Sequence, residues 1–264
     1  MEGAYRTDEP REGERLSGSA PDAASTWSGA TYERIAEAFI PVHRRIVELV
    51  APQPGERFLD LACGTGGIAL IAARTGADVT GLDISADQLE KARAAATEAG
   101  LEIRFDEGDA QALPYEDASY DAVVSAFGMI FAPDHRQAAD ELTRVSKPGA
   151  RVAVTSWPND EWAQLGACLR PNYEGIDARP WAEEPYVRGL LPGFELEFSR
   201  GESTIAAESP AALWDLLSAS VPPLKAWLAT LDDAGREAAQ AQYTELFDGG
   251  KLIREYVLIL GTRK

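Results

Sequence analysis

The stretch Asp60-Leu61-Ala62-Cys63-Gly64-Thr65-Gly66-Gly67 decides how the rest of the chain is read. It begins inside a short apolar run, Phe58-Leu59-Asp60-Leu61-Ala62, which has the length and character of a buried strand. Behind it, Ile68 to Arg74 reads as a helix that Gly76 ends. Small residues at a strand-to-helix junction let a backbone approach a ligand closely, and the first amides of a helix lack intrahelical partners. By itself the motif stays ambiguous. Gly64-x-Gly66-x-x-Ala69 also fits a loose dinucleotide fingerprint, with Asp83 lying about 20 residues on, where a ribose-binding acid belongs.

The alternation continues along the chain. Asp78–Asp83 reads as a second strand, and Ser85-Ala86-Asp87-Gln88 as a capping box opening a helix through Leu89, Ala92 and Ala96 to Gly100. Leu101–Phe105, Asp121–Ala126 and Arg151–Thr155 are the next three strands, with Asp134 capping a helix to about Val145 before Pro148-Gly149. Phe194–Phe198 and Tyr256–Gly261 add two more, separated by helical segments at 209–220 and 232–248. Short apolar strands alternating with helices predict an α/β fold, a doubly wound and mostly parallel seven-stranded sheet. The organisation expected is a disordered arm over 1–26, cap helices over 27–52 divided or opened by Pro41, and a cofactor-binding half over 53–157. The segment 158–264 then completes the sheet and carries an inserted helical substrate cap.

Composition narrows the partners. Lys and Arg number 25 against 43 Asp and Glu, a formal net charge of −18 over 264 residues. Such a surface repels phosphate backbones and anionic lipid, which argues against nucleic acid and membrane surfaces as partners. Cys63 and Cys168 cannot form a disulfide framework, so a reducing compartment is expected. With no long apolar run and no apolar segment behind a basic N-terminus, the sequence reads as cytoplasmic, as a monomer or homodimer.

Three further features bear on the ligand. Asp60 sits before the glycines, a position awkward beside a diphosphate and suited to a positively charged ligand. Glu107-Gly108-Asp109-Ala110 follows the third strand and offers an acid next to a backbone amide, a pair able to read an adenine edge. Ser146-Lys147-Pro148-Gly149-Ala150 makes a tight turn into the fifth strand. Together these motifs, ordered across residues 57–157, resemble the class I S-adenosylmethionine-dependent methyltransferases, in particular their quinone-biosynthesis-like and small-molecule branch.

That resemblance implies a Rossmann-like methyltransferase fold, S-adenosyl-L-methionine as cofactor, and a small-molecule acceptor. Residue by residue, it implies that Gly64, Thr65 and Gly66 cradle the methionine part and that Asp60 supports the loop on its ammonium side. Asp83 accepts from the ribose hydroxyls, Ile84 lies against the adenine, and Gln88 lies near the ribose. Asp109 and Ala110 read the adenine edge, Ala126 ends the fourth strand beneath the methionine part, and Tyr32 is a lid. Ala62 stands where many members have a glycine, so the loop is expected to be fuller there. Cys63 reads as small filler.

The sequence assigns no catalytic base. His43 and His135 read as ordinary surface histidines, His135 more so, and a histidine pair that some relatives carry after the fourth strand is replaced here by Gly128-Met129-Ile130-Phe131. Phe127, Met129 and Phe131 read as core before substrate mouth. Trp162, Tyr173, Trp181, Tyr186, Trp214 and Trp227 are divided between cap core and an acceptor pocket. No metal-ligand spacing is present. The reaction expected is methyl transfer, at oxygen in preference, driven by proximity and orientation. The competing readings are an NAD(P)-dependent oxidoreductase on the same sheet and a non-catalytic cofactor-binding protein.

Overall fold

The computed structural model describes residues 33–158 and 179–264. The arm at 1–26, Tyr32, Trp162, Cys168 and Tyr173 therefore lie outside the described residues. Seven strands form one sheet: β1 (Arg57–Leu61), β2 (Asp78–Asp83), β3 (Arg104–Glu107), β4 (Tyr120–Ala126), β5 (Ser146–Ser156), β6 (Phe194–Ala206) and β7 (Lys251–Arg263). Their order is β3-β2-β1-β4-β5-β7-β6, parallel from β3 through β5, with β7 antiparallel to both of its neighbours. The winding reverses between β1 and β4, and the crevice at the carboxyl tips of those strands is where such sheets bind ligands.

The helices follow the apolar spacing. They are α1 (Ile40–Val50), α2 (Gly67–Ala73), α3 (Ala86–Glu98), α4 (His135–Val145), α5 (Glu184–Leu190), α6 (Pro210–Ser220), α7 (Pro222–Leu228) and α8 (Asp233–Thr244). A helical turn, Glu33–Ala36, and a 3-10 turn, Glu37–Phe39, precede α1. Pro41, Pro210 and Pro222 each open a helix, where a missing amide hydrogen costs nothing. α1 buries Val42, Ile46, Val47 and Val50, packs on α2 and crosses β4 and β5. The sheet contributes Phe58, Leu59, Val123, Val124, Val154, Leu258 and Ile259 to the core, all fully buried, as expected for strands covered on both faces.

Two local readings are corrected. The third strand begins at Arg104 instead of Leu101. Leu101 and Gly100 are used to close α3: the Leu101 amide donates to Ala96 and the Gly100 amide to Thr97, with Gly100 at φ +65°, a Schellman end. β6 and β7 are much longer than their apolar centres suggest, because they pair with each other along their whole length. β5 meets β7 only from Val257 onward, so Lys251–Tyr256 and its β6 partners run past the carboxyl edge by roughly 20 Å. The helices α6 to α8 are inserted at the far end of this hairpin, between Ala206 and Lys251. Among the described residues no helix is long and apolar enough to cross a membrane.

One buried hydroxyl ties the two strands that flank the crevice. Ser125 Oγ donates to the Leu61 carbonyl at 2.8 Å and accepts the Met129 amide at 3.0 Å. Ser125→Ala strands both backbone groups, and a loss of about 1–3 kcal/mol is expected from urea unfolding, with β1 and β4 amides exchanging faster.

Candidate functional site

Parallel register aligns the tips of β1, β2 and β3. Leu61 lies opposite Leu82, and Asp83 opposite Glu107. The Cys63 amide donates to the Leu82 carbonyl and the Gly108 amide to Asp83's, so the glycine loop and the Gly108–Asp109 loop leave the sheet on either side of β2. This places Asp60, Gly64, Thr65, Gly66, Asp83, Ile84, Asp109 and Ala110 around one end of the sheet. Ala126, at the end of β4, closes the other side of the crevice.

The acids are the framework of this site. Asp60 is 2% exposed, and its Oδ2 accepts the Ala69 amide at 3.0 Å. The residue capping α2, Gly66, has no side chain, so Asp60 satisfies a first-turn amide of α2 from the neighbouring strand. Asp83 accepts the Gly64 amide at Oδ2 (2.7 Å) and the Ser85 amide at Oδ1 (2.9 Å). Burial, opposed by the Ala69 amide and reinforced by the charge of Asp83, pushes the Asp60 carboxyl up to about 8. Burial also raises Asp83, against the pull of the Ser85 and Gly64 amides.

The capping box is corrected by this arrangement. Ser85 is the N-cap of α3, but its hydroxyl makes no capping bond and is buried without a partner. Asp83, two residues earlier, already holds the Ser85 backbone. Asp83 is thus not free of structural work, as the box would have made it. Its carboxylate takes the Gly64 and Ser85 amides, and the Ile84 amide also lies against it.

The glycine loop is shaped by close approaches. Gly66 takes φ +79°, and a Cβ there would come within 3.2 Å of both Ala92 and Phe105. Gly64 takes φ +53°, and a Cβ there would meet nothing within 4 Å, so the loop is open above it. Cys63 fills the space over Gly81, where a Cβ would lie 2.9 Å from Sγ and 2.7 Å from Phe105. Burial, then the charges of Asp60 and Asp83, push its thiol well above the ordinary range, which suits filler and not a nucleophile.

Ala62 adopts φ +52°, the left-handed region that costs an L-residue roughly 1–2 kcal/mol. Room for its methyl comes from Gly128, whose own Cβ would collide with the Ala62 Cβ and lie 2.9 Å from the Ala62 carbonyl oxygen. The departure at position 62 is therefore accommodated from across the crevice, by the segment after β4.

Further out, Asp109 Oδ1 accepts the Gln111 amide at 2.8 Å, and Gln111 Nε2 donates to both of its oxygens. Gln111 in turn accepts the Asp134 amide and the Gln137 side chain, stitching the Asp109 loop to the start of α4. Gln88 is buried on α3. Phe127 and Met129 are buried and Phe131 packs against the core, as expected. Phe127 stacks on Trp157 with centroids 4.0 Å apart, and the Arg254 guanidinium lies 3.7 Å over Trp157. Trp181 and Trp214 are buried in the cap, and Trp227 is partly buried.

Two histidine readings change. His135 is not a freely solvated residue: its Nε2 faces the Ile130 carbonyl at 3.2 Å and its Nδ1 the Tyr186 hydroxyl at 2.9 Å, with Trp181 edge-on to the ring. His43, on α1, packs against Gly67 at the start of α2. The sequence signal for both was weak, because neither carries a spacing to a partner. Among the described residues no group of three or more His, Cys, Asp or Glu is gathered to hold a metal.

A family model described as a methyltransferase domain matches residues 58–149. An uncharacterised protein of Mycobacterium tuberculosis is 40% identical over 172 residues, 62% of this chain and 63% of that protein. The match thus spans under two thirds of that relative's length. The demethylmenaquinone methyltransferase of Thermus thermophilus is 37% identical over 180 residues, 67% of this chain and 79% of that enzyme. Among solved structures, the YcgJ protein of Bacillus subtilis superposes with a TM-score of 0.62 at 19% identity, covering 84% of this chain and 97% of that one, a likeness of fold.

Two outcomes are expected. Gly128→Ala, which drives a methyl into the Ala62 backbone, lowers stability by roughly 1–3 kcal/mol, whereas Ala62→Gly raises it or leaves it unchanged, as read by thermal melting. In the unfolded chain Asp60 ionises near its ordinary value of 3.8, while the folded chain holds the proton up to about 8. The native state therefore binds more protons across that window, and stability falls as pH rises through it. Urea unfolding at pH 5 and pH 8 should show this loss in the wild type and a smaller one in Asp60→Asn, which keeps an acceptor for Ala69 without the titration.

Proposed function

We infer a small-molecule methylation activity from one premise: the chain belongs to the class I S-adenosylmethionine-dependent methyltransferases. The observation that carries the reading is the pair of buried carboxylates, Asp60 and Asp83, bonded to the amides on either side of an open glycine turn. Two acids behind such a loop disfavour a diphosphate and suit a ligand with a cationic amino-acid end and ribose hydroxyls. The residues present thus fit S-adenosylmethionine better than a dinucleotide.

In this reading Gly64, Thr65 and Gly66 follow the methionine part, and Asp60 faces its ammonium side. Asp83 takes the ribose hydroxyls, with Ile84 and Gln88 beside them. Asp109 and Ala110 read the adenine, Ala126 lies beneath the methionine part, and Tyr32 closes over it. When bound, the cofactor supplies an electrophilic methyl on a sulfonium. The chain's own part is then to hold the acceptor in line and exclude water, which can supply roughly 7–11 kcal/mol. The acceptor is a small, partly apolar molecule methylated at oxygen in preference, in keeping with the aromatic cap and the strongly acidic composition. We further read the protein as cytoplasmic, acting as a monomer or homodimer, with neither nucleic acid nor membrane as partner.

The test is a thermal-shift comparison of S-adenosylhomocysteine with NAD(H) and NADP(H). At 100 times its Kd a ligand adds about 2.7 kcal/mol of stability, so a clear rise is expected with S-adenosylhomocysteine alone. A rise with only the dinucleotides overturns the reading. Transfer of labelled methyl to a panel of phenols, carboxylates and amines then sorts the acceptor atom.

A further inference from the structure

β7 runs past the end of β5, and Arg254 lies on the overhanging part. The last residue of β7 paired with β5 is Val257, so Arg254 stands three residues, roughly 10 Å, beyond the carboxyl edge. Strand alternation puts it on the same face as Tyr256, whose hydroxyl accepts Arg45 of α1. From there its guanidinium returns over the edge, with Cζ 3.7 Å from the ring centroid of Trp157, the residue that follows β5. Trp157 in turn stacks on Phe127, the residue that follows β4, with centroids 4.0 Å apart and planes 8° from parallel. Three adjacent strands, β4, β5 and β7, thus each send one flat group to a single stack along the carboxyl edge.

The stack is held in place beside the glycine loop. Phe127 takes φ +56°, a left-handed conformation that a bulky side chain adopts only against a steric cost. Its amide donates to Thr155 Oγ1 at 3.0 Å, and Phe39, from the turn before α1, leans on both rings. The next residue, Gly128, is the one whose missing Cβ makes room for Ala62. The row from the glycine loop through Gly128 and Phe127 to Trp157 and Arg254 is therefore continuous.

Neighbouring cations are engaged otherwise. Arg45 donates to the Tyr256 hydroxyl, the Ser199 hydroxyl and the Arg200 carbonyl, and Arg200 pairs with Glu255. Arg254 is positioned through its flat face, and stacking consumes none of the five N–H donors, which lie in the guanidinium plane. That planar fork matches a carboxylate bidentately. The chain carries a net charge of −18 and repels anions at long range, so an anionic acceptor needs a cation at the crevice itself.

We propose that Arg254 is an acceptor-binding residue, and that the acceptor carries, on its partly apolar body, a carboxylate which this guanidinium holds at the carboxyl edge of β5. The proposal rests on the methyltransferase reading above and narrows it to acid-bearing acceptors. Trp157 and Phe127 are the positioning residues, because stacking fixes the guanidinium plane and with it the direction of the fork.

The experiment loads the full chain with S-adenosylhomocysteine and titrates it, by 19F NMR, with two probes of one shape, 4-fluorobenzoate and 4-fluorobenzamide. Wild type is expected to bind the benzoate at least about 10-fold more tightly than the amide. Arg254→Met keeps an unbranched stem without the charge. It is expected to lose that preference while binding S-adenosylhomocysteine within about twofold of wild type. Arg254→Lys, with the charge but not the fork, falls between the two. A wild type without a preference for the benzoate overturns the proposal, as does a preference that survives Arg254→Met. An equal loss of both probes in Arg254→Met also overturns it and marks a packing role. Should Arg254→Met not fold, Arg254→Lys carries the test, and an undiminished preference there is the overturning result. Calorimetry with S-adenosylhomocysteine alone comes first: failure of wild type to bind it refutes the cofactor reading itself, a separate result.

Discussion

Two carboxylates buried at the tips of adjacent strands hold the site together. Asp60 and Asp83 are removed from water, and each recovers part of that cost by accepting backbone amides: Ala69 for the first, Gly64 and Ser85 for the second. These bonds fix a loop that has almost no side chains of its own to pack. The loop can then be small enough for a ligand to lie on its backbone and still hold one conformation. The raised proton affinity of Asp60 is the other face of the same arrangement: burial favours the neutral acid, and a positive charge placed beside it would favour the carboxylate.

The rest of the crevice is adjusted to that loop. Gly66 and Gly81 allow α3, Phe105 and Cys63 to press against it, and Gly128 leaves room for a methyl at Ala62. These are matters of interatomic distance: a Cβ would come within 3.2 Å of its neighbours at Gly66 and closer still at Gly81 and Gly128. A protein interior packed this closely transmits any added methylene to its neighbours. The shape of the loop is thereby coupled to positions such as 128, across the crevice.

The far side of the sheet is organised differently. β6 and β7 pair beyond the carboxyl edge and bring α6 to α8 past it, while α5 docks on α4 through Arg136, which donates to the Gly189 and Leu190 carbonyls. His135, Tyr186 and Trp181 meet at this second junction. The segment that matches a methyltransferase domain ends at residue 149. The helices carried by the β6–β7 hairpin lie beyond that boundary.

The order of strands and helices, the glycine loop and the acids flanking it were all legible in the sequence. Each depends on short-range regularities: apolar periodicity, a small-residue junction, an acid at a strand end. What α1 does with His43, how Asp83 divides itself between Gly64 and Ser85, and why Ala62 is tolerated were decided only by the fold. Gly64 with Asp83, His43 with Gly67 and Ala62 with Gly128 are contacts between residues 19 to 66 positions apart, and no local pattern encodes them. Leu101 shows the same limit in miniature. Its side chain suits a strand, but its amide is needed to close the preceding helix, and a backbone hydrogen bond outweighs a weak propensity.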